Sequence, residues 1–151
     1  MPVENVKSNL IQERPALPAD PALQGGSLVK KVGRVSNAAD ASSGSSYHLC
    51  NVPSNGIVDE ATDFDVQGWG FAQVVIGTET DTDALLDVTR ASGNNQNPFA
   101  PGDASHGRTW WEVLGYASDP GGEIALYAHA EAAATAAGEM LFKIAYLTEV
   151  K

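Results

Sequence analysis

Two stretches near the end of the chain alternate apolar and polar side chains with a period of two, and this constrains the fold more than any other feature. Residues 123–131 put Ile124, Leu126, Ala128 and Ala130 on one face and Ala125, Tyr127 and His129 on the other. Residues 139–150 put Met140, Phe142, Ile144, Tyr146 and Val150 on one face, with Glu139, Lys143 and Glu149 opposite. Successive side chains of a strand point to opposite faces, so each stretch reads as a strand. The linker at 132–138 is short, which predicts that the two pair as a hairpin. Its alanines favour helix but are too few to hold one alone.

Upstream, residues 28–35 and 47–52 are β-like runs separated by a Ser/Gly/Ala-rich turn at 37–46, and a second turn covers 53–56. Residues 56–64 and 66–76 follow as further runs. The second is apolar on both faces, which predicts a central, buried strand. Gly68 and Gly70 flank Trp69, and the reading favoured for them is room for a neighbouring ring. Residues 83–91, around Leu85, Leu86 and Val88, predict a short helical or irregular stretch. A long polar loop at 92–108 is a candidate contact surface. Thr109 and Glu112 have capping-box spacing and Gly115 supplies a left-handed stop, so one short helix carries Trp110, Trp111 and Leu114. Adjacent helical residues point about 100° apart, so one tryptophan fills the core and the other lies near the molecular edge.

The expected fold class is all-β, an antiparallel β-sandwich or jelly roll with one short helix and an extended N-terminal arm. The arm is residues 1–26, where Pro2, Pro15, Pro18 and Pro21 precede Gly25 and Gly26 without any regular period. Proline holds such a segment extended, so its apolar residues Leu10, Ile11, Leu17 and Leu23 are expected to dock on a partner surface. Residues 27–151 form the single domain, a usual size for one core.

Composition narrows the partners. The net charge is -10 over 151 residues. Residues 51–131 hold 13 acidic side chains against 2 basic ones. A phosphate backbone or anionic lipid repels such a chain, so neither nucleic acid nor membrane is an expected partner. No apolar run approaches the ~18 residues of a membrane span. Synthesis is expected in the cytoplasm, without a secretory leader. Cys50 is the single cysteine, which excludes an internal disulfide.

Tests for chemistry return little. His48, His106 and His129 are the only histidines, and none has a second ligand at metal spacing. His48 and Cys50 would share one face of a regular strand, where a thiolate could meet a base, although a small buried cysteine is the commoner case. Glu79, Asp81 and Asp83 open like a calcium loop, but the sixth position is Ala84 and the twelfth Arg90. Hydrolase elbows and phosphate or dinucleotide fingerprints are missing. No enzyme activity and no cofactor are expected.

Four features in order carry a resemblance: Leu49-Cys50-Asn51-Val52-Pro53, Trp110-Trp111-Glu112-Val113-Leu114-Gly115, Asp119-Pro120-Gly121-Gly122, and a final strand pair after the 132–138 linker. Over residues 47–151 the chain resembles the cement, or decoration, proteins of tailed-bacteriophage capsids, most specifically at 111–122. That resemblance implies a virion structural protein on the outer capsid surface, binding the major capsid protein and bridging its subunits. Apart from the resemblance, the apolar arm and surplus aromatic residues of a lone sandwich predict association with itself as a dimer or trimer, with Trp110 and Trp111 joining the arm as candidate contact residues. The alternatives are a phage tail or neck protein, a carbohydrate-binding sandwich stacking Trp69, Trp110 or Trp111 on sugars, and an enzyme built on His48 and Cys50.

Overall fold

The computed structural model describes residues 27–99 and 102–148. The expected arm at 1–26, with Leu10, Ile11, Leu17 and Leu23, lies outside the described residues.

The described chain is a mostly β sandwich of two antiparallel sheets. One sheet runs β1 (Ser27–Asn37), β9 (Gly138–Thr148), β4 (Asp63–Asp65) and β7 (Asn95–Gln96), with β3 (Ile57–Val58) also on β9. The other runs β2 (Ser46–Pro53), β8 (Glu123–His129), β5 (Gln73–Gly77) and β6 (Leu86–Thr89). A single turn of helix, α1 (Trp110–Val113), follows the loop after β7. Pairing is nested: β5 with β6, β4 with β7, β2 with β8 and β1 with β9, each pair enclosing the previous one in sequence.

The two alternating C-terminal stretches are strands, but they do not pair as a hairpin. β8 lies between β2 and β5, while β9 lies in the other sheet between β1 on one side and β3 and β4 on the other. Both strands have one strongly apolar face. Pairing side by side would leave those faces coplanar and still uncovered, whereas opposite sheets turn Ile124, Leu126 and Ala128 toward Met140, Phe142 and Ile144. The linker crosses the gap and is held on the way: Asn37 Nδ2 donates to the Ala136 carbonyl at 2.9 Å, and the Thr135 N–H donates to the Gly70 carbonyl at 2.8 Å.

Residues 66–76 likewise differ from the expected single strand, because only Gln73–Gly77 is extended in a ladder. The first half is a crossing between sheets that buries Val66, Trp69 and Phe71. Gly68 and Gly70 are there for backbone approach, not for a ring. A Cβ on Gly68 would stand 2.8 Å from the Glu139 carbonyl oxygen, and one on Gly70 would strike the Ala136 carbonyl and the Asn37 side chain. The run at 56–64 is also broken, into β3 and β4. Between them Thr62 replaces the ladder, its hydroxyl bonded to the Ala145 carbonyl at 3.1 Å and accepting the Ala145 N–H at 3.0 Å. Residues 86–89 form an edge strand on β5 rather than a helical stretch, followed by a 3₁₀ turn at Arg90–Ser92.

The core lies between the sheets and is closed by aromatic contacts. Trp69 packs edge-on to Tyr47 at 5.2 Å and beside Phe71 at 5.4 Å. Phe99, from the polar loop, packs edge-on to Trp110 at 5.3 Å, so that loop is anchored in the core instead of being wholly a surface feature. Gly33 of β1 pairs with Phe142 of β9, and the phenyl ring fills the space a side chain at 33 would take. No helix among the described residues is long and apolar enough to cross a membrane.

Candidate functional site

The most distinctive surface is the outer face of the β1–β9–β4–β7 sheet. In β1 the residues Val29, Lys31, Gly33 and Val35 pair with Tyr146, Ile144, Phe142 and Met140, and this set faces the core. The other phase therefore faces out: Leu28, Lys30, Val32 and Arg34 on β1, and Glu139, Leu141 and Lys143 on β9. Val32 is 74% exposed, Leu28 49% and Leu141 44%, so three of the four exposed large apolar side chains among the described residues share this face. Isolated exposed apolar residues are ordinary, but several on one face make a patch. A shallow depression of about 370 Å³ lies among them, bordered by Val32, Arg34, Asp63, Asp65, Leu141 and Lys143.

Charge is ordered across this face. Val32, Lys143 and Asp63 form one row across three strands, and Arg34, Leu141 and Asp65 form the next. Arg34 makes a loose pair with Glu139 at 3.6 Å. Lys31, on the inward phase, extends its apolar stem along the core and bonds its amine to the Asn51 carbonyl of β2, with the ammonium 5.9 Å from the centre of the Tyr146 ring. That contact joins the β1 and β2 edges of the two sheets.

The tryptophan pair divides as the helix geometry requires. Trp110 is fully buried and is the core residue, so it is not available as a contact residue; Trp111 is half-buried and keeps an outer edge. Glu112 completes the helix start, accepting from the Thr109 hydroxyl at 2.8 Å and from Arg108 Nη1 at 2.9 Å, which holds its carboxyl below the usual carboxylate range. Gly115, at a φ of 85°, ends the helix.

Three of the sequence motifs meet at Ser54, which follows the Val52-Pro53 turn and is buried. Its hydroxyl donates to Asp119 Oδ1 at 2.6 Å, its N–H donates to the Gly122 carbonyl at 2.9 Å, and its carbonyl accepts the Trp111 N–H at 3.1 Å. The Gly121 N–H also reaches Asp119 Oδ1, at 2.8 Å, and the hydroxyl and this amide together hold the Asp119 carboxyl low. The motifs thus build a structural clamp between the end of β2, α1 and the turn before β8.

The His48 and Cys50 pair is not assembled. A bulge between them shifts register, pairing His48 with Tyr127 on the outer face and Cys50 with Leu126 toward the core, so the two side chains lie on opposite faces. Burial pushes the Cys50 thiol up to about 11, against a smaller lowering by Lys31, which is the reverse of an activated thiolate. His48 instead stacks on Tyr127 at 4.8 Å and bonds Asn51 Oδ1 at 2.7 Å. In the acidic loop Asp81 and Asp83 face one another, and their hydrogen bond raises the Asp81 carboxyl. Among the described residues no three His, Cys, Asp or Glu side chains gather where a metal could sit. Of the three tryptophans considered for sugar stacking, Trp69 and Trp110 are fully buried and Trp111 is half-buried.

Sequence reasoning missed the outer sheet face. Leu141 sits on the polar phase of β9, and Leu28 and Val32 sit out of phase with Val29 and Val35. Apolar residues on both phases of an edge strand were the available signal. A scan against protein-family models finds no match for this chain, and searches of the curated proteins and of the solved structures find none.

Proposed function

We propose that this chain is a virion structural protein of a tailed bacteriophage, which binds the outer surface of the capsid and stabilises the shell by bridging major capsid protein subunits. The observation that carries a binding role is the gathering of Leu28, Val32 and Leu141, with their flanking charges, on one open sheet face. An unsupported apolar patch rimmed by charge is a protein-docking surface by its chemistry. The assignment to a capsid rests on the ordered motifs of residues 47–151, and their convergence on Ser54 is a reason for them to recur together.

The nested strand pairing supports a jelly-roll reading. With β3 and β4 counted as one interrupted strand, eight strands form a long hairpin folded at β5–β6 and wound into two sheets. The net charge of -10 keeps such a protein from capturing DNA. Many weakly bound copies add up through avidity, and any ligand that prefers the mature shell strengthens it.

A density map of virions from the source, with quantitative protein composition of the same particles, tests the proposal. Copies on the outside of the shell at capsid-like abundance support it. A few copies at one vertex move the protein to the tail or neck, and none in the particle removes the virion role.

A further inference from the structure

The charge on the outer face of the β1–β9–β4–β7 sheet is its own complement. Basic Lys30 and Arg34 stand on β1, acidic Asp63 and Asp65 stand on β4, and β9 separates them with Leu141 in the row of Arg34 and Asp65. Neighbouring strands are about 4.8 Å apart, so Arg34 and Asp65, two strands apart, stand about 10 Å from one another at the backbone. Among the described residues no ion pair joins them within the chain.

A two-fold axis running along β9 brings the opposite charges together. It turns β1 of one copy over β4 of its mate, so Arg34 meets Asp65, Asp65 meets Arg34, and Leu141 meets Leu141 on the axis. Val32, the most exposed apolar residue of the face, comes down beside Lys143 and Asp63 of the mate, into the depression of about 370 Å³. On the axis itself Glu139 and Lys143 each face their own copy, with Glu139 paired to Arg34 at 3.6 Å and Lys143 next to Asp63 across the strands. We propose that this face is the interface of a symmetric homodimer. The inference rests on the docking role assigned above and names a second copy of this chain as the occupant of this face, which leaves the shell to be met by the surfaces outside the dimer interface. A two-fold contact is isologous, so one patch supplies both halves of every interaction. A face with basic residues on β1 and acidic residues on β4, on opposite sides of Leu141, fits its own copy better than a uniformly charged partner, which would meet repulsion along one strand.

The test is sedimentation of the full chain over a wide concentration range, with circular dichroism to confirm folding of each variant. The expected result is a monomer–dimer equilibrium that weakens with salt. Arg34→Glu alone and Asp65→Arg alone should each weaken the dimer by about tenfold or more. Both together in one chain should restore much of the loss, because each charge meets the other residue of the mate. Leu141→Glu should leave a folded monomer. A wild-type chain that stays monomeric throughout, or a dimer that none of these changes weakens, overturns the inference. Capsid co-sedimentation of the same proteins separates this from the virion reading: a wild-type monomer that decorates capsids sinks the dimer alone, and a charge-dependent dimer that ignores capsids sinks the virion role alone.

Discussion

Met140 and Leu141 are consecutive on β9 and point to opposite sides of its sheet, so truncating each in turn tests the phase on which both the core and the docking face depend. Met140 is fully buried between the sheets and belongs to the core cluster. Met140→Ala removes apolar atoms from a packed site and leaves a cavity that strands on both sides keep from collapsing, so the expected cost is about 2–5 kcal/mol. Leu141 is 44% exposed on the open face, and Leu141→Ala removes only part of a burial term and leaves no cavity. Full burial of a leucine is worth about 1.5–3 kcal/mol, so a half-exposed one loses about 1 kcal/mol. In a chain of this size about 1 kcal/mol moves the melting temperature by about 2–4 °C, which predicts a drop of roughly 4–20 °C for the first variant and at most about 4 °C for the second. Thermal and urea unfolding at low protein concentration would keep self-association out of the comparison. Equal losses for the two variants, or a larger one for Leu141→Ala, would refute the inward and outward assignment of β9 and with it the outer face as drawn.

The remaining predictions concern the clamp and the titratable groups. Ser54→Ala removes the hydroxyl bonded to the Asp119 carboxylate and is expected to cost about 1–3 kcal/mol, measured by urea unfolding. The Asp119 and Glu112 carboxyls are held low by hydrogen bonds in the folded state, so they contribute stability above their unfolded values that is lost as pH falls through the folded ones. A double variant, Glu112→Gln with Asp119→Asn, should accordingly show a shallower acid limb in a stability–pH curve than the unaltered chain. The Cys50 thiol is raised from 9.0 to about 11, so folded protein should alkylate slowly at neutral pH and faster only toward pH 11, while denatured protein reacts readily. The linkage has the opposite sign from the carboxylates: the contribution is intact below pH 9 and is lost as pH climbs toward 11. Rapid alkylation of the folded chain at pH 7 would contradict the burial of this side chain.

Much of the architecture was legible along the chain because strands and turns write themselves locally. The period of two at 123–131 and 139–150 required two strands with one buried face, and Asp119-Pro120-Gly121-Gly122 required a turn, since both follow from side-chain alternation and backbone preference alone. The Thr109 to Gly115 helix was likewise readable from its capping residues. The division of labour between Trp110 and Trp111 was half legible: a helix separates them by angle, but which of the two meets Phe99 depends on a loop brought in from elsewhere.

Partnership between distant segments was decided only by the tertiary structure. Nothing local distinguishes a β8–β9 hairpin from two strands in facing sheets; that choice is made by the need to cover both apolar faces at once. Gly68 and Gly70 illustrate the same limit, because the backbone that excludes a side chain there comes from residues 136–139. One bulge after His48 reversed the face of everything beyond it and separated two side chains that a regular strand would have put together. The row of Arg34, Leu141 and Asp65 exists only where β1, β9 and β4 lie in register, three segments far apart in sequence. The sequence by itself determined strands, turns, a helix start and an acidic middle, because those depend on neighbours within a few residues. Which strands meet, which glycines are obligatory and which charges share a face were decided by the folded packing, because each depends on groups the chain brings together only after it has closed.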